Sequence, residues 1–198
     1  MDKAKTGANQ TRKAGAQRPG FELRDVGGNL LLELSGRFPV SWAGNLFAAL
    51  AVNQISVEKG TARRTGPSEW QAQFQLDAAR ALKAPTSLDF VALAVEPRPV
   101  AAGSMLSIQK FSLGGAPGTP LTLEVWGDDQ LGFLGRLLNL LAGYSFFPQE
   151  MVIGTEGGRI HDRFWLAGIG GKPPTTSAID SLSRGLERLC GDSPLFKR

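Results

Sequence analysis

A chain of 198 residues with 42% hydrophobic side chains is long enough for one large domain or two small ones with a buried core. It holds no apolar run near the roughly 18 residues of a membrane span and no hydrophobic secretory core at its N-terminus, and its single cysteine, Cys190, leaves no intrachain disulfide and no cysteine metal cluster. The expected compartment is the reducing cytoplasm, with no membrane association. The formal charge of +4 is confined to residues 1–20, where Lys3, Lys5, Arg12, Lys13 and Arg18 face Asp2 alone. That segment has almost no large apolar side chain and reads as a disordered basic tail, the one part of the chain suited to touch nucleic acid.

The folded part begins near Phe21. Leu30–Leu34 reads as a strand, and residues 36–41 as a turn in which Ser41 caps a helix carrying Trp42, Leu46, Phe47 and Leu50. Ile55–Ala62 is a second extended segment, and Thr65-Gly66-Pro67-Ser68 a hairpin turn. Trp70, Ala72, Phe74 and Leu76 then alternate with Gln71, Gln73 and Gln75, giving a strand with one face in the core and one in water. Thr86 or Ser87 opens a short helix through Leu93, stopped by Pro97 and Pro99. Met105–Leu113 is a further strand, and residues 114–118 a glycine-rich linker.

The same order then repeats. Shifting residues 30–64 by 91 positions lays them on 121–155 without a gap. Leu30, Leu32, Glu33, Gly36, Gly44, Leu46, Leu50 and Ala51 fall on identical residues at Leu121, Leu123, Glu124, Gly127, Gly135, Leu137, Leu141 and Ala142. In the second copy Phe147–Thr155 and Arg159–Ala167 form a hairpin around Glu156-Gly157-Gly158, and a helix from Thr176 presents Ile179, Leu182, Leu186 and Leu189 on one side. The expected fold is α+β, an internal duplication of two ferredoxin-like units of the βαββαβ type, residues 21–113 and 119–198, each with an antiparallel sheet and helices on one face. Each copy lacks its last strand. Met105–Leu113 is predicted to complete the first sheet, and the segment near Phe21 to cross over and complete the second.

Leu121 to Leu134 carries the chemistry. The period-2 run Leu121, Leu123, Val125 changes to the helical pattern Phe133, Leu134, Leu137, Leu138 across Gly127-Asp128-Asp129-Gln130-Leu131-Gly132. A strand–loop–helix turn gathers free backbone N–H groups and the positive end of a helix dipole, which suits it to a small polar ligand. The plainer reading has Asp129 capping the helix and Gly132 easing the approach of helix to strand. The candidate ligand-binding residues are Asp128, Asp129, Gln130, Leu131, Gly132 and Phe133. In the first copy Phe38 and Ser41 replace Asp129 and Gly132, so no site is expected there.

Leu121–Ala167 resembles an ACT domain, in particular the paired ACT domains that end the bacterial uridylyltransferase/uridylyl-removing enzyme. The resemblance rests on the Asp-x-x-Gly-Phe-Leu loop at Asp129–Leu134, on Val152-Ile153-Gly154-Thr155 and on Asp162-Arg163-Phe164. It implies a regulatory module that binds an amino acid or similar metabolite against the first loop, usually where two such domains pair. No cofactor and no catalytic residue come with it. The partners it implies are the small-molecule ligand, a regulated protein and a second copy of the chain.

Other chemistries fit less well. His161-Asp162 resembles a metal-binding dyad, but His161 is the one histidine in the chain and the two side chains alternate to opposite faces of a strand. Cys190 has no histidine at a telling spacing, and the glycines at 168, 170 and 171 are not followed by the lysine of a phosphate loop. An RNA-recognition sheet would need an aromatic-rich central strand and a basic body, whereas here only Phe164 and Trp165 qualify. The expectation is a non-catalytic, metal-free sensor module; the alternative is a dimerisation or adaptor module without a ligand.

Overall fold

The computed structural model describes residues 18–97, 106–115 and 120–190. Alternating apolar and polar residues set eight strands, β1 (Gly20–Val26), β2 (Asn29–Arg37), β3 (Ser56–Arg64), β4 (Glu69–Asp77), β5 (Lys110–Gly114), β6 (Leu121–Asp128), β7 (Phe147–Glu156) and β8 (Arg159–Ala167). Four helices accompany them: α1 (Trp42–Val52), α2 (Phe90–Val95), α3 (Phe133–Gly143) and α4 (Thr176–Glu187). The inward set of the strands, among them Leu32, Leu34, Phe74, Leu123, Val125 and Phe164, packs with Leu46, Leu50, Leu137, Leu141, Leu182 and Leu186 of the helices into one continuous core. The intervening residues, such as Glu33, Gln73, Lys59, Glu124 and His161, leave the opposite face polar. Among the described residues no helix is long and apolar enough to cross a membrane.

The strands form one antiparallel sheet in the order β1-β2-β4-β3-β7-β8-β6-β5. This corrects the expectation of two sheets: β3 and β7, the inner edges of the two halves, pair with each other from Lys59↔Gly154 to Arg63↔Glu150. Two exposed edges are thereby removed at one stroke. The offset of 91 that relates the copies in sequence also relates them here. Thr61 faces its own counterpart Val152, and the pairs on either side exchange under the same offset, so a pseudo-two-fold axis passes through that pair. Helices α1 and α3 cross over the axis. Gly44 faces Leu138 and Asn139, while its counterpart Gly135 faces Phe47 and Ala48.

The strand exchange is overturned as well. β1 pairs with β2 of its own half, Phe21↔Leu34 and Leu23↔Leu32, through a two-residue turn at Gly27-Gly28. Both glycines have positive φ, 64° and 87°, and Asp25 accepts a hydrogen bond from the Gly28 N–H at 2.9 Å. β5 likewise pairs with β6. The missing strand of each half is thus supplied by the segment just before it, because closing a two-residue turn costs far less chain entropy than a crossing of about a hundred residues. Each half reads ββαββα, not βαββαβ.

Smaller differences have local causes. The helix expected from Thr86 or Ser87 is a single 3₁₀ turn, Pro85–Ser87, and α2 starts later, where Asp89 caps it by accepting from the Ala92 N–H at 3.0 Å. Ser41 precedes α1 without capping it, and the residue before α3 is Gly132, not an acidic cap. The tail expected over residues 1–20 lies outside the described residues up to Gln17, as do residues 98–105, 116–119 of the linker, and 191–198.

β1 guards the outer edge of β2, and Phe21 packs edge-to-face on Phe90 at 5.3 Å. Deleting residues 1–27 is expected to lower stability by about 2 kcal/mol through lost burial of Phe21 and Leu23. Thermal scans should show a fall of roughly 5 °C together with aggregation that grows with protein concentration. A deletion protein that stays monomeric with an undiminished transition would show that this edge needs no guard.

Candidate functional site

The β6–α3 loop lies against the seam between the halves. Asp129, Gln130, Gly132, Phe133 and Leu134 from the loop side meet Phe47, Leu50, Ile55, Ser56 and Val57 from the first half, over a floor of Ile153, Thr155, Ile160 and Asp162. Together they enclose a cavity of about 30 Å³, or about 390 Å³ when its open mouth is counted. Gly132 shapes the entry to α3, since its φ of 80° is left-handed and a side chain there would press on Ala51 and Arg136.

Of the six residues expected at the site, four line this recess: Asp129, Gln130, Gly132 and Phe133. Asp128 turns away at the end of β6 and accepts from Gln109 Nε2 at 2.9 Å. Leu131 is exposed, and its carbonyl accepts from Arg136 Nη2 at 3.2 Å. Asp129 fixes the loop by donating its backbone N–H to Gly158 O at 2.9 Å, and the residue, exposed to solvent, lines the recess. Partial burial holds the Asp129 carboxyl above its usual range, and the negative charges of Asp77 and Glu58 push it the same way.

Asp162, absent from the six residues expected at the site, also lines the recess. Alternation along β8 puts Ile160, Asp162, Phe164 and Leu166 on the core face, so an acid stands where the pattern calls for an apolar side chain. It is fully buried at 0% exposure. Its Oδ1 accepts from the Gly154 N–H at 3.1 Å, and Oδ2 has no partner among the described residues. Burial raises its pKa to about 7, against the pull of the Gly154 hydrogen bond and with help from Asp129. Gln130 Oε1, also buried, has no partner among the described residues either. The recess therefore gathers two carboxylates and an amide oxygen.

The other half of the dyad goes elsewhere. His161 lies on the polar face, stacked on Trp126 at 4.6 Å and 3.1 Å from Glu124 Oε2. Glu124 also accepts from Arg163 Nε at 3.0 Å, and these two partners hold its carboxyl below the usual range. Burial, and Glu187 nearby, push the Cys190 thiol up, which disfavours the reactive thiolate.

The pseudo-two-fold axis gives the recess a twin on the other side of the seam. There Ser41, Trp42, Ala43, Phe146, Phe147 and Pro148 take the places of Gly132, Phe133, Leu134, Ile55, Ser56 and Val57, around about 40 Å³. Register fixes the remaining counterparts. Leu34 and Val125 are equivalent, and they pair with Ala72 and Asp162 respectively. Asp129 is matched by Phe38, which is buried against Trp42 at 5.3 Å, while Trp42 meets Trp70 at 5.4 Å. Both acids of the second half are apolar in the first, and the aromatic rings of Trp42, Trp70, Phe146 and Phe147 line a space of similar size. Comparison with models of known families, with curated proteins and with solved structures finds no match to this chain.

Proposed function

We propose that the chain is a non-catalytic regulatory module that binds an amino acid or a similar small metabolite in the second-half recess. The observation that carries this reading is the contrast between the twin recesses. One has an apolar, largely aromatic lining; the other keeps two carboxyl groups and an amide oxygen, with Asp162 Oδ2 and Gln130 Oε1 buried and without partners among the described residues. An unmade hydrogen bond at a buried polar atom costs about 1–3 kcal/mol, which a ligand carrying donors would recover.

We read the two halves as ACT domains joined side by side. The antiparallel order and the packing of both helices of each half on one face support this, with the edge strand supplied from the N-terminal side instead of the C-terminal side. In that reading the first half, whose recess lacks the acids, is a structural partner, and the ligand contacts both halves because Leu50, Ser56 and Val57 line the recess from the first.

A thermal-shift screen against the common amino acids tests the proposal. A ligand at a hundred times its Kd should stabilise the chain by about 2.7 kcal/mol. Asp129→Ala should abolish that response while leaving the unliganded protein within about 0.5 kcal/mol of wild type, because Asp129 caps no helix and its loss relieves repulsion from Asp77 and Glu58. An unchanged response in the variant would remove Asp129 from the site. A blank screen would favour the second reading, a dimerisation or adaptor module without ligand, to which the small volume of both recesses already lends weight.

A further inference from the structure

Every polar side chain that lines the recess offers an acceptor: Asp129, Asp162, Gln130, Ser56 and Thr155. Among the described residues no lysine, arginine or histidine lines it, and the guanidinium of Arg136, beside Gly132, donates to Leu131 O. Asp77 and Glu58 deepen the negative field at Asp129. The enclosed part has room for one group the size of a water molecule. The rest of the lining includes the apolar side chains of Leu50, Val57 and Leu134. A group that fills such a space must be small, cationic and rich in donors, with its substituent leading outward past apolar side chains.

We propose that the recess is a primary-ammonium site in which Asp162 Oδ2, Gln130 Oε1 and Asp129 receive the three N–H donors of an R–NH₃⁺ head, and in which a ligand's carboxylate has no part. This rests on the reading of the recess as a ligand site and narrows it. The amino group is the recognised element, so an amine lacking the carboxylate suffices. Asp162 is the anchor, because its Oδ1 is already held by Gly154 and its Oδ2 is buried beside the recess without a partner among the described residues. A charge-assisted hydrogen bond to a buried carboxylate is the strongest contact the lining can make. Binding also draws Asp162 into its charged form, so the ammonium enters as a proton leaves. The neighbouring charged group is Asp129, whose negative charge favours the same exchange.

The test uses the full chain and three probes of matched size: alanine, ethylamine and lactate, with ammonium chloride and potassium chloride at equal ionic strength. The titration of the Asp162 carboxyl, followed by carbon NMR, is read beside the melting temperature. Ethylamine is expected to raise the melting temperature and to move the Asp162 midpoint down from about 7, and lactate to do neither. Asp162→Asn keeps the acceptor for Gly154 and should weaken ethylamine binding roughly tenfold or more; Gln130→Leu should weaken it several-fold. Ammonium chloride acting where potassium chloride does not would place the free ion in the same site. Equal action of the two salts would make it a general monovalent-cation site and overturn the proposal. So would lactate binding as well as ethylamine, or ethylamine binding unchanged in Asp162→Asn. If alanine and lactate bind and ethylamine does not, the ammonium assignment falls while the metabolite reading stands. If no probe and no amino acid of the wider screen binds, both fall.

Discussion

Gly135→Leu is expected to cost about 3 kcal/mol or more and to weaken both halves together. A Cβ at Gly135 would sit 2.9 Å from Ala48 N, 3.2 Å from Ala48 Cα and 3.3 Å from Phe47 C. All three are backbone atoms of α1, so no rotamer change relieves the contact and the helices must part. The pseudo-symmetric position provides the control. A Cβ at Gly44 would meet only side-chain atoms of Leu138 and Asn139, 3.7 Å away or more. Gly44→Ala should therefore be neutral or stabilising by up to about 1 kcal/mol, since alanine is the better helix former. Urea unfolding of the two variants should show opposite signs. A Gly135→Leu protein as stable as wild type would show that the α1–α3 crossing does not hold the halves together.

The second large effect is a dependence of stability on pH that originates in Asp162. Its pKa is about 7 when folded, against 3.8 ordinarily, so between those values the folded chain keeps a proton that the unfolded chain has lost. Stability from this group is full below about pH 4, falls as pH rises, and is lost above about pH 7, by roughly 4 kcal/mol in all. Asp129, raised in the same direction, adds to the fall. Glu124 is lowered, so its contribution runs the other way and is lost only in acid. Asp162→Asn should flatten the slope between pH 4 and 7 and leave the unliganded protein more stable than wild type at pH 8. A wild-type slope that survives the substitution would assign the proton to another group.

The elements themselves were readable from periodicity, because each strand has one face in the core and the helices carry leucines at three- and four-residue spacings. What could not be read was which edge meets which. Thr61 and Val152 are exposed residues on their strands, and no one-dimensional pattern marks them as partners across a seam. The β1–β2 hairpin did leave a signal, the Gly27-Gly28 pair between Leu23 and Leu30, but the strand near Phe21 is expected in the far sheet instead of beside its neighbour across that turn, and Glu22, Arg24 and Asp25 make it polar. It is polar because it is an edge, covered on one side only. The recess was half legible. Asp129, Gln130, Gly132 and Phe133 follow from the loop, whereas Asp162 required noticing an acid at a core position of β8. Alternation along the strand separates it from His161, but nothing in the sequence joins it to the loop, which lies 33 residues earlier in the chain. The first-half walls of the recess were out of reach, since they depend on the seam.

The inequality of the twin recesses has a consequence for stoichiometry. Two identical chains paired about a true axis would carry two identical sites, and every substitution would strike both at once. A fused pair is free of that constraint, and here one recess has an apolar lining while its twin kept a polar one. On the proposed reading each chain offers a single place for a polar ligand and no second equivalent to feel the first. Occupancy should follow a simple hyperbola at one equivalent per chain, so any response it drives would be graded, and a steeper curve would have to come from chains acting on one another.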